Sequence, residues 1–243
     1  MSNNSNLNET LKLPVNRKKI WPSRRVQLIE TVVFLFLILP SMSASFLIGS
    51  RFTLGFSVVA LLSILNDLGL MSLVFYFIWR NGEPLKLLGW TSNVIYKEIG
   101  IGLLLFLPIV YSVNVLEKAL QSTGLSAPSK TPSFLVATGH AGLVLAVILV
   151  IVAAIVEETI FRGYLILRLK SVIRNPVLAV VISSIIFSIG HGYEGIAGVI
   201  SVFFLGIIFA VIYIWRVSLI APMIIHFLID FSSIVLSEFL KSK

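Results

Sequence analysis

The sequence predicts an all-α protein that is embedded in a membrane. Its 243 residues are 57% hydrophobic and only 12% charged, whereas soluble domains carry about 25% charged residues. The mean hydropathy is +1.00. Hydrophobic blocks of roughly 20 residues, the length of a membrane-spanning helix, follow one another along the chain. Lipid offers no partner to backbone polar groups, so such segments must be helical. We expect a polytopic membrane protein with about seven, and up to eight, transmembrane helices.

Residues 1–25 are polar and basic and are expected to form a cytoplasmic tail, whereas residues 26–243 form a single membrane domain. With the N-terminus in the cytoplasm, most Lys and Arg residues between the hydrophobic segments fall on the cytoplasmic side, as the positive-inside rule requires. We therefore attribute the net charge of +8 to membrane orientation and anionic lipid. The predicted segments are Gln27–Ile48, Phe56–Trp79, Val94–Leu116, Gly139–Lys170, Pro176–Gly190, Gly195–Trp215 and Ser218–Leu240.

The absence of cysteine excludes disulfides, thiolate catalysis and a Cys-ligated metal. Ionisable residues nevertheless lie inside the apolar segments of the C-terminal half. Charge is costly in a membrane, so such residues are first interpreted as functional. At about 1.5 Å of rise per residue, they lie about 18–22 Å from the cytoplasmic ends of three different segments, so they are predicted to converge. These residues are Glu157, Glu158, Arg162, His191, His226 and Asp230.

Helical spacing predicts how these residues pair. Glu158 and Arg162 are four residues apart and share one helix face, so we expect them to form an ion pair. Glu157 points about 100° away around the helix and is the better candidate base. His226 and Asp230 have the same spacing and can line one cavity or bond to each other. A glutamate beside a histidine can remove a proton from water, which predicts a hydrolytic site.

Other interpretations stay open for some of these residues. The pair of Glu158 and Arg162 has either a structural or a chemical role. Asn66 and Asp67, in the second segment, are interpreted as residues that hydrogen-bond between helices, with cavity lining as the alternative.

The order and spacing of these residues resemble the motifs of the CPBP family of intramembrane proteases, the CAAX prenyl protease and bacteriocin-processing group that is also called Abi. Glu157–Arg162 matches an EExxxR motif, Phe187–His191 matches FxxxH, and His226–Asp230 matches the Asp form of HxxxN/D. The resemblance extends from about residue 139 to residue 230. Three ordered motifs in membrane segments are fairly specific, whereas any one of them alone is weak.

The resemblance implies an intramembrane endopeptidase that cleaves a membrane-associated protein or peptide, either a prenylated CAAX protein or a bacteriocin or leader peptide. It implies that Glu157 activates water together with His191, while Glu158 and Arg162 hold the helix. Such an enzyme is expected in a bacterial cell membrane, with the lipid bilayer and the substrate as its partners and without nucleic acid.

The remaining two residues, His226 and Asp230, would bind or polarise the substrate. Many members of the family carry Asn where this chain has Asp230, and a carboxylate cannot donate a hydrogen bond to an oxyanion. His191, His226 and Asp230 are the candidate ligands if a metal such as Zn²⁺ is used. The same side chains can also serve a metal-free, glutamate-dependent hydrolase, and the HExxH zinc motif does not occur. Both alternatives stay open.

Two other classes of function also fit the composition. A non-catalytic membrane protein that confers immunity or acts as a scaffold could keep the same fold. A proton-coupled transporter would also need buried Glu, His and Asp at one depth, but the internal repeats that are usual for transporters are not evident in this sequence.

Overall fold

The computed structural model describes residues 22–51, 54–91, 95–127, 132–236 and 239. All regular elements in these residues are helical, which confirms the predicted all-α fold. Most of the predicted basic tail, residues 1–21, lies outside the described residues. The α-helices are α1 (Arg24–Arg51), α2 (Phe56–Arg80), α3 (Ile95–Ser122), α4 (Gly139–Glu158), α5 (Ile166–Ile173), α6 (Pro176–Ile189), α7 (Gly195–Arg216) and α8 (Ile220–Asp230).

Two π-helical segments interrupt this series. The first, Thr159–Leu165, joins α4 to α5, and the second, Phe231–Leu236, continues α8. Short 3₁₀ turns lie at Leu85–Leu88, Ser133–Leu135 and Gly192–Glu194. The helices therefore form seven continuous runs within the described residues, close to the seven predicted segments. The largest difference is in α3, which extends six residues beyond the predicted end at Leu116, to Ser122.

Among the described residues, five helical runs are long and apolar enough to cross a membrane. The protein is therefore an integral membrane protein, as predicted. The longest run, Gly139–Ile173, combines α4, the first π-helical segment and α5 over 35 residues. The other two runs, Pro176–Ile189 and Ile220–Leu236, are shorter. At 14 residues, α6 is about 21 Å long, less than the hydrocarbon core of a bilayer.

Local sequence explains why α6 is short. Asn175 caps its first turn, because the side-chain oxygen accepts hydrogen bonds from the backbone N–H groups of Val177 and Leu178 at 3.0 and 3.1 Å. Pro176 occupies the first helical position, where its missing N–H is not needed. The helix ends before Gly190, and the chain turns there instead of continuing. His191 therefore lies in a turn at the end of α6.

The helices pack mainly as α2 on α4, α3 on both α7 and α8, and α6 on α7. The largest buried cluster joins α1, α2, the first π-helical segment and α6, through side chains such as Phe34, Val74, Tyr164 and Phe187. This cluster places the motif-bearing helices against the N-terminal half of the chain.

A buried charged network connects α1, α2 and α5. Arg168 donates to both carboxylate oxygens of Glu83 at 2.9 and 2.5 Å, and it lies 3.4 Å from Glu30. Glu30 also accepts hydrogen bonds from Arg80 at 2.6 Å and from Asn81 at 2.9 Å. Breaking a buried pair typically costs about 3–5 kcal/mol. The network therefore holds the long α4–α5 run firmly against α1 and α2.

Candidate active site

A single buried carboxylate lies at the centre of the predicted site. The Oε1 atom of Glu158 accepts a hydrogen bond from Arg162 at 2.7 Å, which confirms the predicted pairing. The same oxygen lies 2.9 Å from Nδ1 of His226. Since an ionised carboxylate can only accept, Nδ1 of His226 is the donor. All three side chains are buried, so this bonding connects the end of α4 to the middle of α8.

Two further carboxylates face the other nitrogen of the same imidazole. Nε2 of His226 lies 3.4 Å from Asp230 and 3.8 Å from Glu157. The side chains of Glu157 and Asp230 are 26% and 27% exposed, whereas that of Glu158 is fully buried. Glu157 is therefore the carboxylate of the adjacent pair that a water molecule or substrate can reach.

The Phe187 ring is in contact with both histidines. Its centroid lies 5.0 Å from that of His191 and 6.1 Å from that of His226. The guanidinium of Arg162 lies over the same ring, 4.2 Å from its centroid. Arg162 thus makes a cation–π contact in addition to its ion pair. Phe187 is an apolar wall of the site and connects the FxxxH motif to the two other motifs.

His191 is oriented by its own helix. Its Nδ1 lies 3.1 Å from the carbonyl oxygen of Phe187, and a carbonyl can only accept, so Nδ1 carries a proton. In the neutral ring, Nε2 is then a free acceptor. Within the described part of the chain, no hydrogen bond or ion pair joins His191 to Glu157. The carboxylate of Glu157 faces Nε2 of His226 instead, at 3.8 Å.

The candidate metal ligands can be compared with this geometry. Across the described ranges, no group of three or more His, Asp or Glu side chains has an arrangement that could hold a metal ion. His226 and Asp230 are in contact. His191 is instead hydrogen-bonded to the carbonyl oxygen of Phe187 and does not join them as a possible third ligand. As placed, these side chains do not fit a metal centre. A metal bound by His191, His226 and Asp230 stays a prediction.

The spacing of the motifs and their assembly around Glu158 fit one known family. Residues 139–232 match the Rce1-like family of type II CAAX prenyl endopeptidases. This match confirms the predicted resemblance to the CPBP family. At the level of the family, it supports a CAAX-type endopeptidase that acts on a membrane-associated protein. No curated protein and no solved structure matches the chain.

Both π-helical segments begin directly after a site carboxylate. The first starts at Thr159, after Glu158, and the second starts at Phe231, after Asp230. π-Helical turns are rare and occur frequently at functional sites, because they change the direction of side chains relative to a regular α-helix. No residue pattern predicts them here.

One residue outside the Rce1-like region fixes the turn that carries His191. The hydroxyl of Ser45 in α1 donates to the carbonyl of Ile189 at 2.8 Å and accepts from the N–H of Gly192 at 3.0 Å. A Cβ atom at Gly192 would lie 2.5 Å from the Phe46 ring, so only glycine fits there. We call Ser45, Phe46 and Gly192 the α1 clamp. Sequence analysis missed it, because no local pattern relates residues so far apart.

Tyr193 is a second residue that sequence analysis missed. Its ring lies 6.0 Å from that of His191 and packs edge-on against Phe134 at 5.6 Å. Tyr193 therefore borders the same space as the predicted residues. Its position two residues after the FxxxH motif is the one signal that could have indicated it.

Replacing Arg162 by Ala is expected to lower the stability of the protein, because the buried Glu158 carboxylate loses its cationic partner. The expected cost is about 3–5 kcal/mol. It would be measured as the yield and thermal stability of detergent-purified protein, with Lys170→Ala, at an exposed position of α5, as the control. Adding Glu158→Gln to Arg162→Ala should restore part of the yield. An Arg162→Ala protein as stable as the parent would contradict the buried pair.

Replacing Ser45 by Ala is expected to loosen the turn that carries His191. We expect kcat for cleavage of a prenylated CAAX peptide to fall by roughly 10-fold with little change in KM, since small misplacements of reacting groups are costly. Ser41→Ala is the matched control, because the Ser41 hydroxyl bonds only within α1, to Ile38 at 2.9 Å. Equal kcat values for the two variants would show that the α1 clamp does not position His191.

Proposed function

We propose that the protein is an intramembrane endopeptidase that hydrolyses a peptide bond of a membrane-associated protein with water activated by Glu157. The observation that carries this proposal is that the two adjacent carboxylates differ in burial and in their partners. Glu158 is buried and bonded to Arg162 and His226, whereas Glu157 is partly exposed, lies 3.8 Å from His226 and has no arginine partner among the residues that the structure describes. A general base needs this access, and the match to the Rce1-like family supports the same chemistry.

In the proposed reaction, Glu157 removes a proton from water as the water oxygen attacks the carbonyl carbon of the scissile bond. The proton then passes to the leaving amine, so the carboxylate is regenerated. His191, with Nδ1 held by the Phe187 carbonyl, offers Nε2 as an acceptor for water. No step of this scheme passes through a metal ion.

His226 is proposed to polarise the carbonyl of the substrate. Its Nδ1 is held by Glu158, so the ring cannot rotate freely and Nε2 is directed at the accessible side of the site. The Asp230 carboxylate, 3.4 Å away, orients that nitrogen. Arg162, paired with Glu158 and packed over the Phe187 ring, holds the carboxylate that fixes this imidazole. Preorganised charge of this kind stabilises a developing oxyanion.

For the substrate, we propose a prenylated protein of the CAAX type, which the description of the matched family names. A bacteriocin precursor or leader peptide is the alternative within the same chemistry. Either substrate would reach Glu157 from the bilayer or from its surface, because the motif-bearing helices lie within an integral membrane protein.

Replacing Glu157 by Gln is expected to lower hydrolysis by about 10² or more, because the base is removed while the side chain keeps its size. Proteomic comparison of membranes that contain parent or Glu157→Gln protein should show an uncleaved substrate that accumulates with the variant. Glu117→Gln is the matched control, since Glu117 lies in α3 and is bonded to Gln121. Unchanged turnover of an identified substrate would remove Glu157 from the mechanism.

Replacing Asp230 by Asn separates the metal-dependent and metal-free versions of the site. If Asp230 works through hydrogen bonds, the amide adds a donor and activity should persist or rise, which is the outcome we expect. If it ligates a metal, the amide is a poorer ligand and both metal content and activity should fall. Elemental analysis and assays after chelation measure the difference. Stoichiometric zinc in the purified protein, together with loss of activity on chelation, would contradict the metal-free mechanism.

A further inference from the structure

A cavity lies at the turn between α5 and α6, far along the chain from the candidate active site. Its volume is about 480 Å³, and its lining residues are Leu167, Lys170, Ser171, Arg174 and Pro176. We call it the α5–α6 cavity. Two of these five side chains are cationic, and no acidic side chain from the described ranges lines it. The lining therefore combines positive charge and a hydroxyl group with apolar surface.

The α5–α6 cavity lies where the helices leave the membrane. The apolar run Gly139–Ile173 ends one residue before Arg174. The first turn of α1 lies at the same level, because the Arg24 guanidinium donates to the carbonyl oxygen of Val172 at 3.0 Å. Lys170 and Arg174 are both exposed there. Basic side chains at such a boundary meet the headgroups of the lipids.

The two cations of the cavity differ from other cations at the same end of the helices. Arg80, Arg168 and Arg216 each form an ion pair with a buried carboxylate. Within the part of the chain that the structure describes, neither Lys170 nor Arg174 has a carboxylate at ion-pair distance. Their charges are therefore available to an anion from outside the protein.

The backbone of Arg174 makes an arginine unusual at this position. Arg174 is the C-cap of α5 with φ 62°, and its N–H donates to the carbonyl oxygen of Lys170 at 2.9 Å. Glycine is the usual residue in this left-handed conformation, because a Cβ atom is strained there. The chain thus accepts backbone strain and keeps a cationic side chain beside the cavity. Strain of this kind often marks a functional position.

An exposed apolar stripe on α6 leads from the cavity toward the interior of the membrane. Val177 follows directly after Pro176 of the cavity and is exposed. Leu178 and Ile185 are seven residues apart, so they share one side of α6, and both are exposed. One molecule with a charged headgroup and an acyl chain can therefore contact the cavity and the stripe together.

We propose that the α5–α6 cavity binds the headgroup of an anionic phospholipid. Lys170 and Arg174 pair with its phosphate, the Ser171 hydroxyl donates a hydrogen bond to it, and an acyl chain lies along the exposed stripe of α6. Free phosphate would gain nothing from the stripe, so a lipid is the better ligand. The inference does not depend on peptide hydrolysis, because none of these residues belongs to the proposed active site.

Melting temperatures in detergent micelles test the ligand. A lipid that binds only the folded protein stabilises it, so phosphatidylglycerol should raise the melting temperature of the parent by about 3 °C or more. Zwitterionic phosphatidylcholine and inorganic phosphate, at the same concentration, should give clearly smaller shifts. No shift with phosphatidylglycerol, or an equal shift with phosphatidylcholine, would overturn the proposal. An equal shift with inorganic phosphate would also overturn it, because the ligand would then be a free anion.

Two substitutions test the residues. Lys170→Gln removes one charge, and Arg174→Gly removes the other while it relieves the strained backbone. Each should reduce the shift caused by phosphatidylglycerol by about half or more, and the double variant should abolish it. Arg174→Gly is expected to be at least as stable as the parent without lipid, because glycine tolerates this conformation. A smaller shift in that variant therefore reports lost binding and not lost folding.

The matched controls separate a site from general attraction between charges. Lys97→Gln removes an exposed lysine at the start of α3, outside the cavity. Val217→Gly relieves the same kind of strain at the C-cap of α7, where φ is 51°, without the loss of a charge. Both controls should keep the shift of the parent. Equal losses in Lys97→Gln and Lys170→Gln would show that the cavity is not a specific site.

Native mass spectrometry counts the bound lipid directly. We expect the fraction of protein that retains one phosphatidylglycerol molecule to be about 10-fold lower in the double variant of Lys170→Gln and Arg174→Gly than in the parent. Equal retention by the two proteins would overturn the proposal, whatever the melting temperatures.

Discussion

The structure of the site depends on one buried carboxylate that satisfies two partners. Glu158 binds Arg162 within its own helical run and His226 from α8, with no exposure to solvent. Without this carboxylate, either partner would be a buried polar group with no compensating bond. The free-energy cost of such a group is far larger than the stabilisation that an exposed ion pair provides. The adjacent Glu157 can remain accessible because the structural requirement for a carboxylate is already met by its neighbour.

The helical period accounts for the side-chain pairings that the sequence could predict within the site. Glu158 with Arg162, and His226 with Asp230, are spaced by one turn, and local geometry brings each pair together whatever the tertiary fold. The contact between Glu157 and His226 depends instead on how α4 and α8 cross. It could not be read from spacing, and the expected partner of Glu157 was His191.

The overall fold was predictable for a related reason, because hydropathy reports the burial of whole segments in lipid. It does not report where a helix changes its winding. The π-helical segments after Glu158 and Asp230, and the short length of α6, follow from packing within the protein. The same holds for the α1 clamp. In the sequence, Ser45 is indistinguishable from other small residues of membrane helices. Only the structure shows that its hydroxyl is hydrogen-bonded to the turn after α6.

The α1 clamp has a consequence for biosynthesis. Ser45 and Gly192 are separated by 147 positions, so the Ser45 hydroxyl in α1 finds both of its backbone partners only after α6 and the turn that follows it have been synthesised. His226 joins Glu158 later still, when α8 is inserted. The candidate site therefore cannot assemble in the nascent chain before α8 has entered the membrane.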